Sequence, residues 1–443
     1  MILHRNILLW TGALFLMCFM IPTRVFAGEE IISPKINPDK TVTFTLFRPD
    51  AEEVLLRGSF VSKAFSVRTP AGVFGKEGIV QMERVEDCWC YTTEPLESEM
   101  YTYCFEVDGK RVTDPSNDNL VEDNGQDYSF FIIDGGLADI YIGQEVPHGS
   151  VEQAWYDSSI QGTPKRRMSI YLPPGYGTDA VSEYPVLYLL HGSGGNENSW
   201  TGAGRAAEIL DNMIAGGQCV PMVVVMPNGI VSKASADDKE PDNGGQPGNE
   251  NILSMFGEIE KAFVPEVVSY VESHYRVGKN KHDRAIAGLS LGGLHTLFIS
   301  ANNPDCFDYV GLFSAQTTNA LDDEKLEKAG SLAQGIKNIT DLFQIFTKGT
   351  VGERISILTG GINKDGLSTY NKLDEKLENQ FKSPPRLYYI AVGRDDFVKK
   401  INDDFRTKLD DKKYKYYYNE TDGGHSWENW RKYLVDFLPK IFK

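Results

Sequence analysis

Five apolar runs in the C-terminal two thirds of the chain restrict its fold most strongly. They lie at residues 185–190, 222–227, 284–288, 309–315 and 386–393 (PVLYLL, MVVVMP, RAIAG, YVGLFSA and RLYYIAVG), with segments of helical periodicity between them. Runs without polar alternation are typical of strands buried on both faces. Strands that alternate with helices in this way predict an α/β fold with a doubly wound, mostly parallel sheet and helices on both sides.

Two helical stripes support this prediction. Both place apolar residues on one face, and Pro265 is expected to kink the first. The first stripe consists of Ile252, Phe256, Ile259, Phe263, Val267 and Val271. The second consists of Trp427, Trp430, Leu434, Phe437, Leu438 and Ile441.

The N-terminal third has a different period. From residue 31 to 134 short alternating runs are bounded by Gly, Pro, Asp and Asn, which predicts a small all-β, immunoglobulin-like antiparallel sandwich. The predicted organisation is a sandwich at residues 28–135, a linker at 136–147 and the α/β domain at 148–443. The aromatic side chains of the sandwich are expected to pack its sheets, with sugar binding as the alternative: Trp89, Tyr91, Tyr101 and Tyr103.

Residues 1–27 resemble a secretory signal peptide. A short basic start precedes an apolar stretch at 7–22, and Val25-Phe26-Ala27 forms an A-x-A-like cleavage signal. This predicts a secreted or periplasmic protein, with a signal anchor or a lipoprotein site at Cys18 as alternatives. No later segment reaches about 18 apolar residues, so we expect no membrane-spanning helix in the mature chain.

Charge and cysteine content narrow the function further. The formal net charge is −17 and there is no Lys/Arg-rich block, which excludes nucleic acid and anionic membranes as partners and favours a neutral or sugar-like substrate. Cys88 and Cys90 share one face of a predicted strand, and either could reach Cys104 in a disulfide, although free thiols are an equal alternative. Their spacing does not predict a zinc site.

The sequence GLSLGG at 288–293 is the central motif. It lies between an apolar strand and a predicted helix, which is the context that a G-x-S-x-G nucleophile requires. Gly288 and Gly292 permit the tight turn, and Gly293 allows the helix to pack closely. Ser290 is therefore the predicted nucleophile, and a structural Gly/Ser turn is the alternative.

A serine hydroxyl needs a base, and the base needs an orienting acid. In a doubly wound hydrolase both follow the serine along the chain. His295 lies within the helix that leaves the turn, whereas His425 follows a strand-like segment in a glycine-rich loop, so His425 is the predicted base. Asp395 and Asp396 follow the preceding strand, and spacing does not distinguish them; Asp422 is a third candidate.

The developing oxyanion needs two amide donors. The turn supplies one from Leu291. The other is expected from the loop HGSGG at 191–195, with Ser193 preferred over Gly192 and with His191 as a buttress. Trp200 and Trp427 are the predicted substrate-binding residues. This set of residues calls for no metal or organic cofactor.

Taken together, these residues resemble the putative-esterase family (esterase D type) of the α/β-hydrolases, in particular its secreted feruloyl and other carbohydrate esterases. The resemblance covers roughly 148–443, and it implies Asp396 as the acid, in GRDDF. The region 31–134 is similar to the N-terminal module of such enzymes. The segment 317–383 and the long polar loop 232–251 depart from the pattern. The landmarks are RRMSIYLPPGY (166–176), YPVLYLLHGSGG (184–195), VVVMPNG (223–229), RAIAGLSLGG (284–293), GRDDF (393–397) and GGHSWENWRKYLVDFLPKIF (423–442).

The resemblance implies a secreted serine esterase that acts on esters of plant cell-wall polysaccharides. Release of hydroxycinnamate from arabinoxylan is the first expectation and deacetylation of xylan the second. An enterobactin-type siderophore esterase is the rival within the family, but its anionic substrate would favour a basic cleft, and the 232–251 loop has Lys233 and Lys239 against five acidic residues. An acyltransferase and a catalytically silent glycan-binding protein are further alternatives.

Overall fold

The computed structural model describes residues 31–61, 78–160, 164–178, 183–229, 257–317 and 369–443. The predicted signal peptide, the loop 232–251 with Ile252 and Phe256, and most of 317–383 lie outside these ranges. No helix within them is long and apolar enough to cross a membrane.

The N-terminal unit consists of short strands in two antiparallel sheets, as predicted. The first sheet has the order β1-β2-β6-β5 and the second β4-β3-β7-β10-β9, with β8 paired to β7. The strands are β1 Lys35–Ile36, β2 Val42–Phe47, β3 Val54–Gly58, β4 Gly78–Gln81, β5 Glu83–Val85, β6 Cys88–Thr92, β7 Met100–Val107, β8 Lys110–Val112, β9 Leu120–Asp123 and β10 Gln126–Ile132.

The aromatic residues of this unit mainly form its core. Trp89 and Tyr103 are buried, and Tyr91 and Tyr101 pack against the same cluster. The ring of Tyr103 meets that of Phe44 edge to face at 4.8 Å. The cysteines of the described residues are free thiols.

The C-terminal unit is built on one sheet of eight strands with the order β11-β12-β14-β13-β15-β16-β17-β18. Six of them are parallel, while β11 and β12 form an antiparallel edge. The strands are β11 Ser150–Asp157, β12 Lys165–Leu172, β13 Val186–Leu190, β14 Val223–Pro227, β15 Arg284–Leu289, β16 Tyr309–Phe313, β17 Leu387–Gly393 and β18 Tyr417–Thr421.

Helices cover both faces of this sheet, and two apolar clusters fill the space between sheet and helices. This is the α/β-hydrolase architecture that the sequence predicts. The helices of the described residues are α1 Ala206–Ala215, α2 Glu258–Ala262, α3 Ser269–His274, α4 Leu291–Asn302, α5 Leu373–Gln380, α6 Lys399–Asp411 and α7 Trp427–Phe437, with short 3₁₀ turns at Gly136–Ile140, Lys281–Asp283 and Leu438–Lys440.

Two details follow from local chemistry. Pro265 lacks an N–H group, and a π-helical turn at Phe263–Val268 lies between α2 and α3, at the position where the sequence predicts a kink. The predicted linker packs rather than extends, because Ala138 and Tyr141 lie in the core beside α1. The domain boundaries themselves stay a prediction.

Candidate active site

Strand β15 ends at a strained turn that presents Ser290. Its backbone has φ 53° and ψ −113°, a conformation that is rare outside glycine and concentrates at functional sites. A Cβ at Gly288 would lie 2.3 Å from the Gly292 carbonyl oxygen, and a Cβ at Gly292 would lie 2.4 Å from the His191 carbonyl oxygen. Both contacts are shorter than real Cβ atoms allow. The motif therefore needs glycine at both positions.

Asp396 and His425 form an assembled acid–base pair. His425 Nδ1 lies 3.0 and 3.1 Å from the two carboxylate oxygens of Asp396. Because an ionised carboxylate only accepts hydrogen bonds, Nδ1 carries the proton and Nε2 is left as an acceptor. The Val398 N–H also donates to Asp396, at 3.0 Å.

Burial alone would raise the pKa of Asp396, but the electrostatic interaction and hydrogen bond with His425, together with the Val398 N–H, outweigh it and hold the pKa below its usual value. Asp395 and Asp422 are exposed, and Asp422 forms an ion pair with Arg394. The structure thus distinguishes three carboxylates that spacing alone does not.

Ser290, Asp396 and His425 all lie at the carboxyl edge of the sheet. They follow β15, β17 and β18, and β16 lies between the first two. The Ser290 N–H donates to the Phe313 carbonyl at 2.9 Å, and the Ser314 N–H donates to the Ala391 carbonyl at 2.7 Å, so these strand ends are tied together. Ser290 Oγ is buried without a hydrogen-bond partner among the described residues. The hydrogen bond between Asp396 and His425 is formed, and a hydrogen bond between Ser290 and His425 is not.

Aromatic side chains hold the imidazole of His425. Its centroid lies 4.4 Å from that of Phe397 and 5.0 Å from that of Trp430, which meets it at 90°. The His425 side chain is only 8% exposed. The ring therefore has little freedom to leave the Asp396 carboxylate.

The loop after β13 lies against Ser290. A Cβ at Gly192 would lie 3.2 Å from Ser290 Cβ, which brings the neighbouring Ser193 amide to the same edge as the Leu291 amide. Neither amide is bonded to a backbone carbonyl in the described part of the chain. Their use as oxyanion donors remains a prediction that this arrangement supports.

His191 buttresses this loop, as expected. Its Nε2 accepts the Gly229 N–H at 2.8 Å, so its Nδ1 carries the proton and donates to the Gly192 carbonyl at 2.8 Å. Burial lowers the pKa of His191 to about 4, because the charged form would lose its water. A neutral ring thus holds the loop in place.

The two tryptophans predicted to bind substrate differ in position. Trp200 is 1% exposed, and its indole N–H donates to the Leu190 carbonyl. It is a core residue that supports the loop, and its assignment as a substrate contact is corrected here: a side chain this buried presents no face to a ligand. Trp427 is partly exposed, and its N–H donates to Asp123 at 3.0 Å.

The sequence prediction missed a buried cluster beside helix α4. His295 Nδ1 and the Tyr370 hydroxyl both donate to Glu260, at 2.7 and 2.5 Å. Burial alone would raise the pKa of Glu260, but His295 outweighs it, and the pKa stays below its usual value. The acid and the histidine are 35 residues apart, and neither belongs to a recognisable motif. No group of three or more His, Cys, Asp or Glu side chains arranged to hold a metal occurs within the described ranges.

A doubly wound sheet that presents a serine on a strained strand–helix turn is the architecture of the α/β-hydrolases, and fold and site together place the chain in this class. Residues 161–380 match the family described as Putative esterase, and this part of the chain belongs to that family.

Two relatives and one solved structure with known names are similar to this chain. The chain is 29% identical over 308 residues to an endo-1,4-beta-xylanase/feruloyl esterase of Xylanibacter ruminicola. This match covers 66% of this chain and 37% of that protein. It is 27% identical to an acetyl esterase of Caldicellulosiruptor saccharolyticus over 58% of this chain and 83% of that one. Its fold is similar to that of the enterobactin esterase FES from Shigella flexneri, with a TM-score of 0.55 and 16% sequence identity. This similarity covers 90% of this chain and 92% of that one. The chain thus spans little more than a third of the xylanase/feruloyl esterase.

Proposed function

We propose that this protein hydrolyses carboxylic esters, with Ser290 as nucleophile, His425 as base and Asp396 as orienting acid. The observation that carries this proposal is the hydrogen bond from His425 Nδ1 to both oxygens of Asp396, at the sheet edge where the strained turn presents Ser290. A catalytically silent glycan-binding protein would have no need to keep a buried acid, an oriented imidazole and a strained serine together.

The mechanism follows from the protonation states. His425 Nε2 takes the proton of Ser290 Oγ as this oxygen attacks the ester carbonyl, and Asp396 stabilises the imidazolium that forms. The Leu291 and Ser193 amides donate to the tetrahedral oxyanion. His425 then gives its proton to the leaving alcohol oxygen. Water repeats the cycle on the acyl-enzyme, which releases the acid and restores the serine.

The proposed substrate is an ester of a plant cell-wall polysaccharide, with a hydroxycinnamate such as ferulate as the acyl group. The name of the Xylanibacter ruminicola relative supports this choice. The net charge of −17 agrees with a neutral glycan, and the predicted signal peptide agrees with a secreted or periplasmic enzyme. Acetylated xylan is the second candidate, because another relative is an acetyl esterase.

A polyanionic siderophore ester fits the site less well. Exposed or partly exposed acids border the two loops of the site, among them Glu122, Asp123 and Asp395. Negative side chains at the entrance to a site lower the local concentration of an anionic substrate.

Product analysis tests the proposal. The full chain is incubated with wheat arabinoxylan and with acetylated xylan, and released ferulate and acetate are quantified. Ferulate release by wild type and its loss in Ser290→Ala support the feruloyl esterase; acetate release alone favours the second candidate. Equal release by wild type and Ser290→Ala would refute the catalytic assignment.

A further inference from the structure

The hairpin formed by β9 and β10 reaches from the N-terminal unit to the candidate active site. Its two-residue turn consists of Asn124 and Gly125, with φ 54° and φ 70°. Positive φ at both central residues is typical of the tight turn that matches the twist of a hairpin, so the tip is a short, well-defined element. Asn124 and Gln126 are exposed, and Asp123 is partly exposed.

The tip contacts both loops of the site. Asp123 Oδ1 accepts the indole N–H of Trp427, two residues beyond the base His425, at 3.0 Å. Glu122 Oε1 accepts the side-chain amide of Asn196 at 3.0 Å, in the loop that follows Ser193.

Asn124 approaches the same loop. Its Oδ1 lies so close to Gly194 that a Cβ on this glycine would come within 2.1 Å of it. The tip therefore lies between the loop that contains Ser193 and the loop that contains His425.

A buried ion pair fixes the unit in this position. Arg431, on α7, donates to the Glu99 carboxylate at 2.8 Å and to the Ala203 carbonyl at 2.7 Å. Met100, Val121, Phe130 and Ala203 form a shared apolar cluster under the hairpin. Moving the N-terminal unit away would break the pair of Glu99 with Arg431 and leave a buried charge unpaired, which is strongly unfavourable.

The bond from Asp123 also orients a candidate binding surface. The Trp427 ring meets Trp200 and Trp430 edge to face, at 5.4 and 5.1 Å. With its N–H bound to Asp123, the partly exposed indole is held in one orientation beside His425. A held indole is an apolar surface with a polar edge, as sugars and aromatic acyl groups require.

We propose that the turn 123–126 forms one wall of the substrate cleft and that Asp123 is a positioning residue for Trp427, so that the N-terminal unit selects esters large enough to reach it. This inference rests on the proposed ester hydrolysis. The turn binds the part of the ester that extends beyond the scissile bond, which is either a glycan or a bulky acyl group. A small acetate ester does not extend to the turn.

The test compares a large and a small ester on the full chain. We define the selectivity ratio as kcat/KM for a feruloylated arabinoxylo-oligosaccharide divided by kcat/KM for p-nitrophenyl acetate. Loss of the hydrogen bond in Asp123→Ala should lower this ratio about 3- to 10-fold, mainly through KM for the oligosaccharide. Asp123→Asn keeps an acceptor oxygen and should restore most of it. Reduced stability alone lowers both rates equally and leaves the ratio unchanged.

Two further variants complete the test. Asn124→Gly keeps the turn, since glycine adopts positive φ readily, and removes the side chain at Gly194; it should also lower the ratio. Glu94→Gln removes an exposed acid elsewhere in the same unit and should change neither rate. An unchanged ratio in both Asp123→Ala and Asn124→Gly overturns the inference. If wild type and Ser290→Ala are equally inactive on both esters, the proposed function fails first, and this inference fails with it.

Discussion

Replacement of Asp396 by asparagine tests the acid–base pair most directly. The carboxylate is fully buried, and it accepts hydrogen bonds from His425 Nδ1 and from the Val398 N–H. In Asp396→Asn the amide oxygen can retain the Val398 bond, which turns the NH₂ group towards His425. Nδ1 must then accept a hydrogen bond, and the ring proton moves to Nε2. The nitrogen that should take the proton of Ser290 is thereby blocked.

The expected loss is large, because the wrong tautomer removes general-base catalysis and the imidazolium loses its counter-charge. In a triad of this type the change lowers kcat by about 10⁴, equivalent to about 5 kcal/mol of transition-state stabilisation. The side chain keeps its size, so the fold should be retained, which thermal unfolding of the variant checks.

The assay is steady-state hydrolysis of p-nitrophenyl acetate, with Asp395→Asn as the matched control. Asp395 is the adjacent residue, and its carboxylate is exposed, so its replacement should leave kcat within about twofold, as for a surface change that removes no partner. If Asp396→Asn keeps more than a tenth of the wild-type kcat, or if Asp395→Asn loses as much, the assignment of the acid is wrong.

Three further predictions concern stability. The pKa of His191 is about 4 in the folded protein and 6.5 in the unfolded chain, so the unfolded state takes up a proton first as pH falls and the free energy of unfolding decreases. Between pH 7 and 5 the wild type should lose about 2 kcal/mol more of this free energy than His191→Gln, as measured by urea unfolding. Equal losses in the two proteins would refute this. Arg431→Met leaves Glu99 buried without its cation and should destabilise the protein by about 3–5 kcal/mol. Glu99→Gln keeps an acceptor for Arg431 and should lower the melting temperature less than Arg431→Met does. The reverse order of the two melting temperatures would contradict the buried ion pair. Gly292→Ala places a methyl group against a backbone carbonyl and should destabilise by about 1–3 kcal/mol, while Gly143→Ala, which meets open space, should leave the melting temperature unchanged.

The sequence predicted much of the scaffold, because local chemistry determines it. Continuous apolar runs identified β13 to β17, because strands that are buried on both faces lack alternating polar residues. The antiparallel edge of β11 and β12 was not identified as strands. At the edge of a sheet one face meets solvent, and the exposed residues of β11 break the apolar run on which the prediction relied.

The proposed nucleophile and the proposed base could both be chosen from the sequence. The tight turn around Ser290 needs glycine at fixed offsets, and chain order left His425 as the base. The acid was different: Asp395 and Asp396 are neighbours with the same chemistry, and the resemblance to a family was needed to prefer one of them. Only the backbone after β17 decides that one side chain points inward to His425 and the other to solvent.

Only the tertiary structure decided which residues far apart in the chain are in contact. Trp200 and Trp427 are the same residue type and each follows a serine in the sequence, yet one is buried in the core and the other donates to Asp123, 304 residues away. Glu99 finds Arg431 at a similar separation. Such pairs leave no periodicity or spacing in a single sequence, because the distance along the chain carries no information about which surfaces the packed sheets bring together. The local sequence determines what the backbone requires at each turn and strand. The packing of the folded chain determines which distant side chains pair.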